Sequence, residues 1–145
     1  VTDDHVALYA AEADAFEGTD LESTRPIDEL QQLAGRLVDS PWWPGPPVEV
    51  TPTRRDARSS SARCVEAAGR PDGRLVQIRL AEPQWTTATV AHELAHALAG
   101  TDAGHGAGYR VAYLDVVAVL TNLDPTDRRR GLHVDQLRAA FDAHG

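Results

Sequence analysis

Sulfur is almost missing from this chain, with Cys64 the one cysteine in 145 residues. That excludes an internal disulfide framework and suits a reducing compartment, so a cytoplasmic location is expected. A lone thiol in the apolar-leaning pair Cys64-Val65 is expected to pack rather than react. Basic charge is also short: the net charge is −8. A general nucleic-acid binder needs a basic footprint, so no nucleic-acid partner is expected. No run approaches a membrane span, and the first residues lack the basic head and apolar stretch of a secretory signal. Repeats, low-complexity tracts and a convincing domain boundary are absent too. What remains is ordinary for one globular domain over 1–145, with 42% hydrophobic and 25% charged residues. A chain of this length buries about two-thirds of its unfolded surface, enough for a single core.

Against that background one run carries chemistry, His92-Glu93-Leu94-Ala95-His96, followed by Gly104-His105-Gly106. Residues four apart on a helix share a face, with about 5–6 Å between Cβ atoms, so His92 and His96 can converge on one tetrahedral zinc. Glu93 is rotated by about 100° from His92, poorly placed as a ligand and well placed as general base for water activated by the metal. Between Ala88 and Ala99 there is no Lys, Arg, Gln or Asn to form a solvated face, and Val90, Leu94 and Leu98 make an apolar stripe. The segment therefore reads as a buried helix. Its polar groups need partners, and one metal ion would satisfy both histidines.

A catalytic zinc usually has a third protein ligand and one open position. His105 is the first choice, because Gly100, Gly104 and Gly106 allow the chain to turn back after the helix. Asp102 competes, standing six residues after His96, where the metzincin pattern places a ligand; that pattern needs glycine at the position of Ala99. The thermolysin-type pattern calls for a later glutamate, and none follows Glu93. Asp115 is the acidic residue available in the next helix, better suited to orienting a histidine than to binding metal.

His92-Glu93-x-x-His96 followed by Gly104-His105-Gly106-x-x-Tyr109 resembles the zinc signature of SprT-like metallopeptidases, over about Leu75 to Val117. Over most of its length the chain is similar to a family of small actinobacterial metallohydrolases. The segments Tyr9-Ala10-Ala11-Glu12, Asp56-Ala57-Arg58-Ser59-Ser60-Ser61-Ala62-Arg63 and Ile78-Arg79-Leu80 carry that similarity. The resemblance implies a compact α+β zincin-like domain of the minigluzincin type, with a short, mainly antiparallel sheet packed on a buried zinc helix and flanking helices. It implies one catalytic zinc held by His92, His96 and His105, with Glu93 as base. The cysteine-rich zinc ribbon that many SprT-like proteins use beside nucleic acid is lacking.

The remaining pattern gives the order of elements. Asp3 or Asp4 can cap a first helix with Val6, Leu8, Tyr9, Ala13 and Phe16 as its apolar positions, ending at Gly18. A second helix begins near Pro26 and carries Ile27, Leu30, Leu33, Leu37 and Val38. Strands are expected over 48–53, 63–67 and 75–80, the last two joined by the turn-rich Gly69–Gly73. The zinc helix starts near Thr86 or Thr87, another spans 107–121, and a last one 134–143. Strand 75–80 could lie at a sheet edge and pair with a peptide or protein substrate, or simply belong to the core sheet. Tyr109 and Tyr113 share a helical face after His105 and could steady an oxyanion, or pack. Trp42 and Trp43, flanked by prolines, are expected to plug the core. His5, His133 and His144 are expected at the surface. Arg128-Arg129-Arg130 reads as a solvated run; Arg54, Arg55, Arg58 and Arg63 would bind acidic groups only if one strand face gathers them. The expected function is zinc-dependent hydrolysis, of peptide bonds first of all. A zinc-stabilised binding or regulatory module without turnover, and a metal-free interaction protein, are the rivals; the sequence leaves the oligomeric state open.

Overall fold

A computed structural model describes residues 5–70, 73–127 and 130–144. Along the chain run α1 (His5–Phe16), α2 (Ile27–Val38), β1 (Val48–Pro52), β2 (Ser61–Glu66), β3 (Arg74–Leu80), α3 (Thr87–Ala99), α4 (Ala107–Leu123) and α5 (Arg130–His144), with short 3-10 turns at Asp20–Glu22 and Glu82–Gln84. The fold is α+β. Asp3, Asp4, Arg128 and Arg129 lie outside the described residues.

The strands form one mixed sheet in the order β1-β3-β2, with β1 parallel and β2 antiparallel to β3. The sheet is thus not mainly antiparallel, and strand 75–80 is not an edge. Its sequence gives the reason. Leu75, Val76, Ile78 and Leu80 are all buried, so β3 is apolar on both faces for part of its length, as a central strand must be. To let β3 enter between its neighbours, segment 53–60 passes over the end of β3, where the Thr53 amide donates to the Leu80 carbonyl at 3.0 Å.

Helix α3 leaves the sheet through the turn at Glu82–Gln84. The Thr86 side chain caps it by accepting the Thr89 amide at 3.1 Å. Gly100, at φ 109°, ends it while its amide donates to the His96 carbonyl. Thr87, Ala88, Val90, Ala91, Glu93, Leu94, Ala95 and Ala97 are buried, as the missing solvated face requires. Small alanines let the sheet approach from one side and α4 from the other. Leu94, fully buried, is worth about 2–5 kcal/mol against truncation to Ala.

Helix α1 packs chiefly on α5. It buries Leu8, Ala11, Ala15 and Phe16, whereas Val6 is 85% and Tyr9 53% exposed. The expected apolar positions Val6, Tyr9 and Ala13 are therefore corrected, since all three are exposed: alanine on every side blurs the period, and the buried face is rotated away from them. Trp42 and Trp43 do plug the core, with the Trp43 indole N–H donating to the Pro46 carbonyl at 2.8 Å. Cys64 is exposed rather than packed, since β2 is an edge strand. His133 is fully buried rather than superficial, its Nε2 3.2 Å from Asp127 Oδ2. His144 meets Asp14 and fastens the end of α5 to α1. Arg54, Arg55 and Arg58 lie on segment 53–60 and Arg63 on β2, so no single strand face gathers them. Among the described residues no helix is long and apolar enough to cross a membrane.

Candidate metal centre

Helix α3 supplies His92 and His96 one turn apart, their ring centroids separated by 5.1 Å. The turn at 101–106 then reverses the chain, with Gly104 at φ 70°, a conformation that favours glycine. It delivers His105, 6% exposed, with its Nε2 3.0 Å from His96 Nε2. One nitrogen from each of the three rings lies within 4.8 Å of the others. Tetrahedral zinc bonded to nitrogen at about 2.0–2.1 Å would want nitrogens about 3.3 Å apart. The set therefore fits a metal ion after small rotations of the rings. Among the described residues no other cluster of histidine, cysteine and carboxylate qualifies.

Asp102 and Asp115 are not part of it. Asp102 is exposed on the turn and lines a depression with Pro46, Cys64 and Ala97. Asp115 is exposed on α4, whose buried face is Tyr109, Ala112, Tyr113, Val116, Val117 and Leu120. The carboxylate that orients a histidine comes instead from α1. Glu12 Oε1 lies 2.7 Å from His92 Nδ1. A carboxylate only accepts, so the proton sits on Nδ1, and in the neutral ring Nε2 keeps its lone pair for a metal. Burial lowers the His92 pKa, but the hydrogen bond and charge of Glu12, with Glu93, outweigh it and hold it above its ordinary value.

Glu93 is 4% exposed. Its Oε1 is 3.9 Å from His92 Nε2, and its Oε2 is buried with no hydrogen-bond partner among the described residues. Burial pushes the carboxyl up to about 7, with His92 opposing and Glu12 adding to the shift. A cation held by the histidines would draw it down again, leaving an anion ready to take a proton.

The two tyrosines of α4 are buried and do not line the cleft beside Glu93. Tyr109 is buried, donates its hydroxyl to the His92 carbonyl at 3.0 Å and lays its ring against His96 at 4.5 Å. Tyr113 is fully buried, its ring 5.8 Å from that of His92. Burial pushes both hydroxyls well above their ordinary pKa. The oxyanion role is corrected to one of bracing the imidazoles, because i, i+4 spacing placed both on the buried face.

Open to solvent beside Glu93 is a cleft of about 330 Å3, lined by Tyr9, Glu12, Glu22, Ser59, Ser60, Gln84, Thr89, His92 and Glu93 among others. The Ser60 amide donates to Gln84 Oε1 at 2.8 Å and Ser60 Oγ accepts the Ala81 amide at 3.0 Å, fixing this wall. On the other side the His5 ring sits 4.7 Å from His105, and Tyr9 lies nearly parallel to His92 at 6.4 Å. Sequence reasoning did not assign His5, Tyr9 and Glu12 to the site, although i, i+4, i+7 spacing of polar and aromatic residues on an alanine-rich helix was a readable signal. No protein family, curated protein or solved structure matches the chain, so the functional reading stands on these residues.

Proposed function

We propose that this chain is a zinc-dependent hydrolase that cleaves peptide bonds. The observation that carries the reading is Glu93, whose buried Oε2 has no hydrogen-bond partner among the described residues, beside three converging imidazoles and on the lining of a cleft. A purely structural metal site has no use for such a group, whereas hydrolysis needs one. His92, His96 and His105 would hold the ion. Zinc bound there supplies a Lewis acid that polarises the scissile carbonyl and acidifies water. Glu93 accepts the proton of the attacking water on Oε2 and hands it to the departing amine. Glu12 keeps the His92 ring in the productive tautomer and orientation, and Tyr109 pins the backbone of the same residue.

An extended peptide has a place to lie. β2 pairs on one side with β3, and its other edge is unpaired among the described strands. That strand is entered through Ser59 and Ser60 on the wall of the cleft, so main-chain pairing along β2 would carry a peptide past Glu93. The test is metal content by elemental analysis of protein purified without added metal, followed by peptide hydrolysis by wild type and Glu93→Gln. About one zinc per chain, with turnover abolished in the variant, is the expected result. No metal and no uptake of zinc at neutral pH would overturn the reading. Zinc with no turnover across peptide and ester libraries would leave a module in which the ion merely ties the 101–106 turn to α3.

A further inference from the structure

We propose that the cleft selects substrates bearing a cationic group near the scissile bond, with Glu22 as the counter-charge. This deepens the hydrolase reading and rests on it for the bond that is cut. Among the described residues three carboxylates line the cleft, those of Glu12, Glu22 and Glu93, and no arginine does. Two of the three have work already. Glu12 is hydrogen-bonded to His92, and Glu93, almost fully buried with a partnerless Oε2, is the proton acceptor. Glu22 is left over. It is exposed, ends the 3-10 turn Asp20–Glu22, and has no ion-pair partner among the described residues.

Its surroundings are acidic. Partial burial raises the Glu22 carboxyl above its ordinary pKa, and the nearby charges of Glu12 and Glu17 push it further the same way. An anion crowded by anions is relieved by an arriving ammonium or guanidinium group, which gains attraction from several carboxylates together. Arg55 and Arg58 do not neutralise the cleft: they line a neighbouring depression beyond Pro83. That depression also holds Asp56 and Glu82, which balance the two arginines, so the carboxylates of the cleft alone set the preferred sign of charge. The cationic group can come from a lysine or arginine side chain or from a free α-amine, and these share the chemistry of recognition.

Binding separates this proposal from the proposal of turnover. Short polyalanine peptides with a C-terminal fluorophore would carry lysine or norleucine at each position in turn, with a free or an acetylated N-terminus. Their affinity for the zinc-loaded Glu93→Gln chain is read by fluorescence anisotropy. We expect cationic peptides to bind about five- to tenfold more tightly than neutral ones, an advantage that shrinks with salt and is lost in Glu93→Gln combined with Glu22→Gln. Combination with Glu22→Lys should reverse the preference toward glutamate-containing peptides. Loss of the advantage on acetylation would identify the α-amine as the cation; its survival would identify the side chain. Equal affinity for lysine and norleucine peptides that acetylation of the N-terminus does not lower, no binding at all, or an advantage untouched by Glu22→Gln while zinc content stays intact would each overturn the inference. Charge-selective binding without hydrolysis by wild type would instead refute the hydrolase reading and leave the cleft's selectivity standing.

Discussion

Helix α3 meets two buried polar clusters, one at its first residue and one in its middle. At the first, Arg25 Nη1 donates to Asp124 Oδ2 at 2.7 Å and to Thr87 Oγ1 at 3.0 Å, while Asp124 Oδ1 accepts the amide and hydroxyl of Thr126. At the second stand Glu93 and the three histidines. The two carboxylates are almost equally buried, Asp124 at 3% exposure and Glu93 at 4%, yet their pKa values move in opposite directions. Burial raises both, but the donors from Thr126 and Arg25 outweigh it at Asp124, whereas nothing comparable opposes it at Glu93. Burial alone therefore does not mark a working residue. What sets Glu93 apart is burial with hydrogen-bonding capacity left unused beside a histidine cluster and on the lining of a cleft, where an unsatisfied carboxylate can serve an arriving group.

The largest expected effect tests the open end of that contrast. Glu93→Gln should reduce peptide hydrolysis about a hundred- to ten-thousand-fold with the zinc content per chain unchanged, measured by steady-state turnover beside elemental analysis. Asp124→Asn, at equal burial, should leave turnover of the folded protein intact. Turnover preserved in Glu93→Gln would erase the distinction between the two clusters.

Next in size is the metal itself. At free zinc about 100 times its dissociation constant, binding should stabilise the fold by about 2.7 kcal/mol, or roughly 5–10 °C in melting temperature for a chain of this length. Scanning calorimetry with and without a chelator reads this directly, and His96→Ala should abolish the response. A melting temperature indifferent to chelation would mean that the histidine cluster closes on itself as the Asp124 cluster does.

The Asp124 side of the comparison breaks through stability. Asp124→Ala removes the anion from half-buried Arg25 and should cost about 2–3 kcal/mol in urea unfolding at neutral pH, with zinc affinity unmoved. The sign with pH follows from linkage. A carboxyl held below its unfolded pKa of about 3.9 contributes fully above that value and loses its contribution as pH falls through the folded pKa. Wild type and Asp124→Asn should thus differ most above about pH 5 and converge in strong acid. A gap that widens in acid would contradict the ion pair.

Much of this was legible from spacing within single elements. His92, Glu93 and His96 share one helical stretch, and His105 needed only glycines to return, so local geometry brought them together. The boundaries of α2 and of β3 followed from their periodicity. What the residues did not disclose are contacts between elements distant in sequence. Glu12 reaches His92 across eighty residues, and α1, rich in alanine, has no clear apolar face to say which side turns inward. The same holds for His133, buried against Asp127, and for β3, whose double-sided burial depends on where β1 and β2 attach. Asp102 and Asp115 fail as ligands because the turn and the α4 face point them outward, which spacing alone could not decide.

The smallest effect concerns Glu12, the α1 carboxylate hydrogen-bonded to the centre. Glu12→Ala should weaken zinc binding about tenfold, read by competition with a chromophoric chelator, because the His92 ring loses the acceptor that fixes its tautomer. Glu12→Gln should recover part of that loss: its amide oxygen still accepts from Nδ1–H but brings no charge to raise the basicity of the ring. Cobalt substitution adds a readout that packing alone would not move, since a change in ligand orientation alters the visible absorption bands of the ion. Affinity and bands identical to wild type in both variants would reduce Glu12 to a packing contact. The graded order Glu, Gln, Ala would instead show that the mid-helix cluster extends to α1, using there the same donor–acceptor matching that closes the Asp124 cluster, and leaving the Glu93 carboxylate uncommitted.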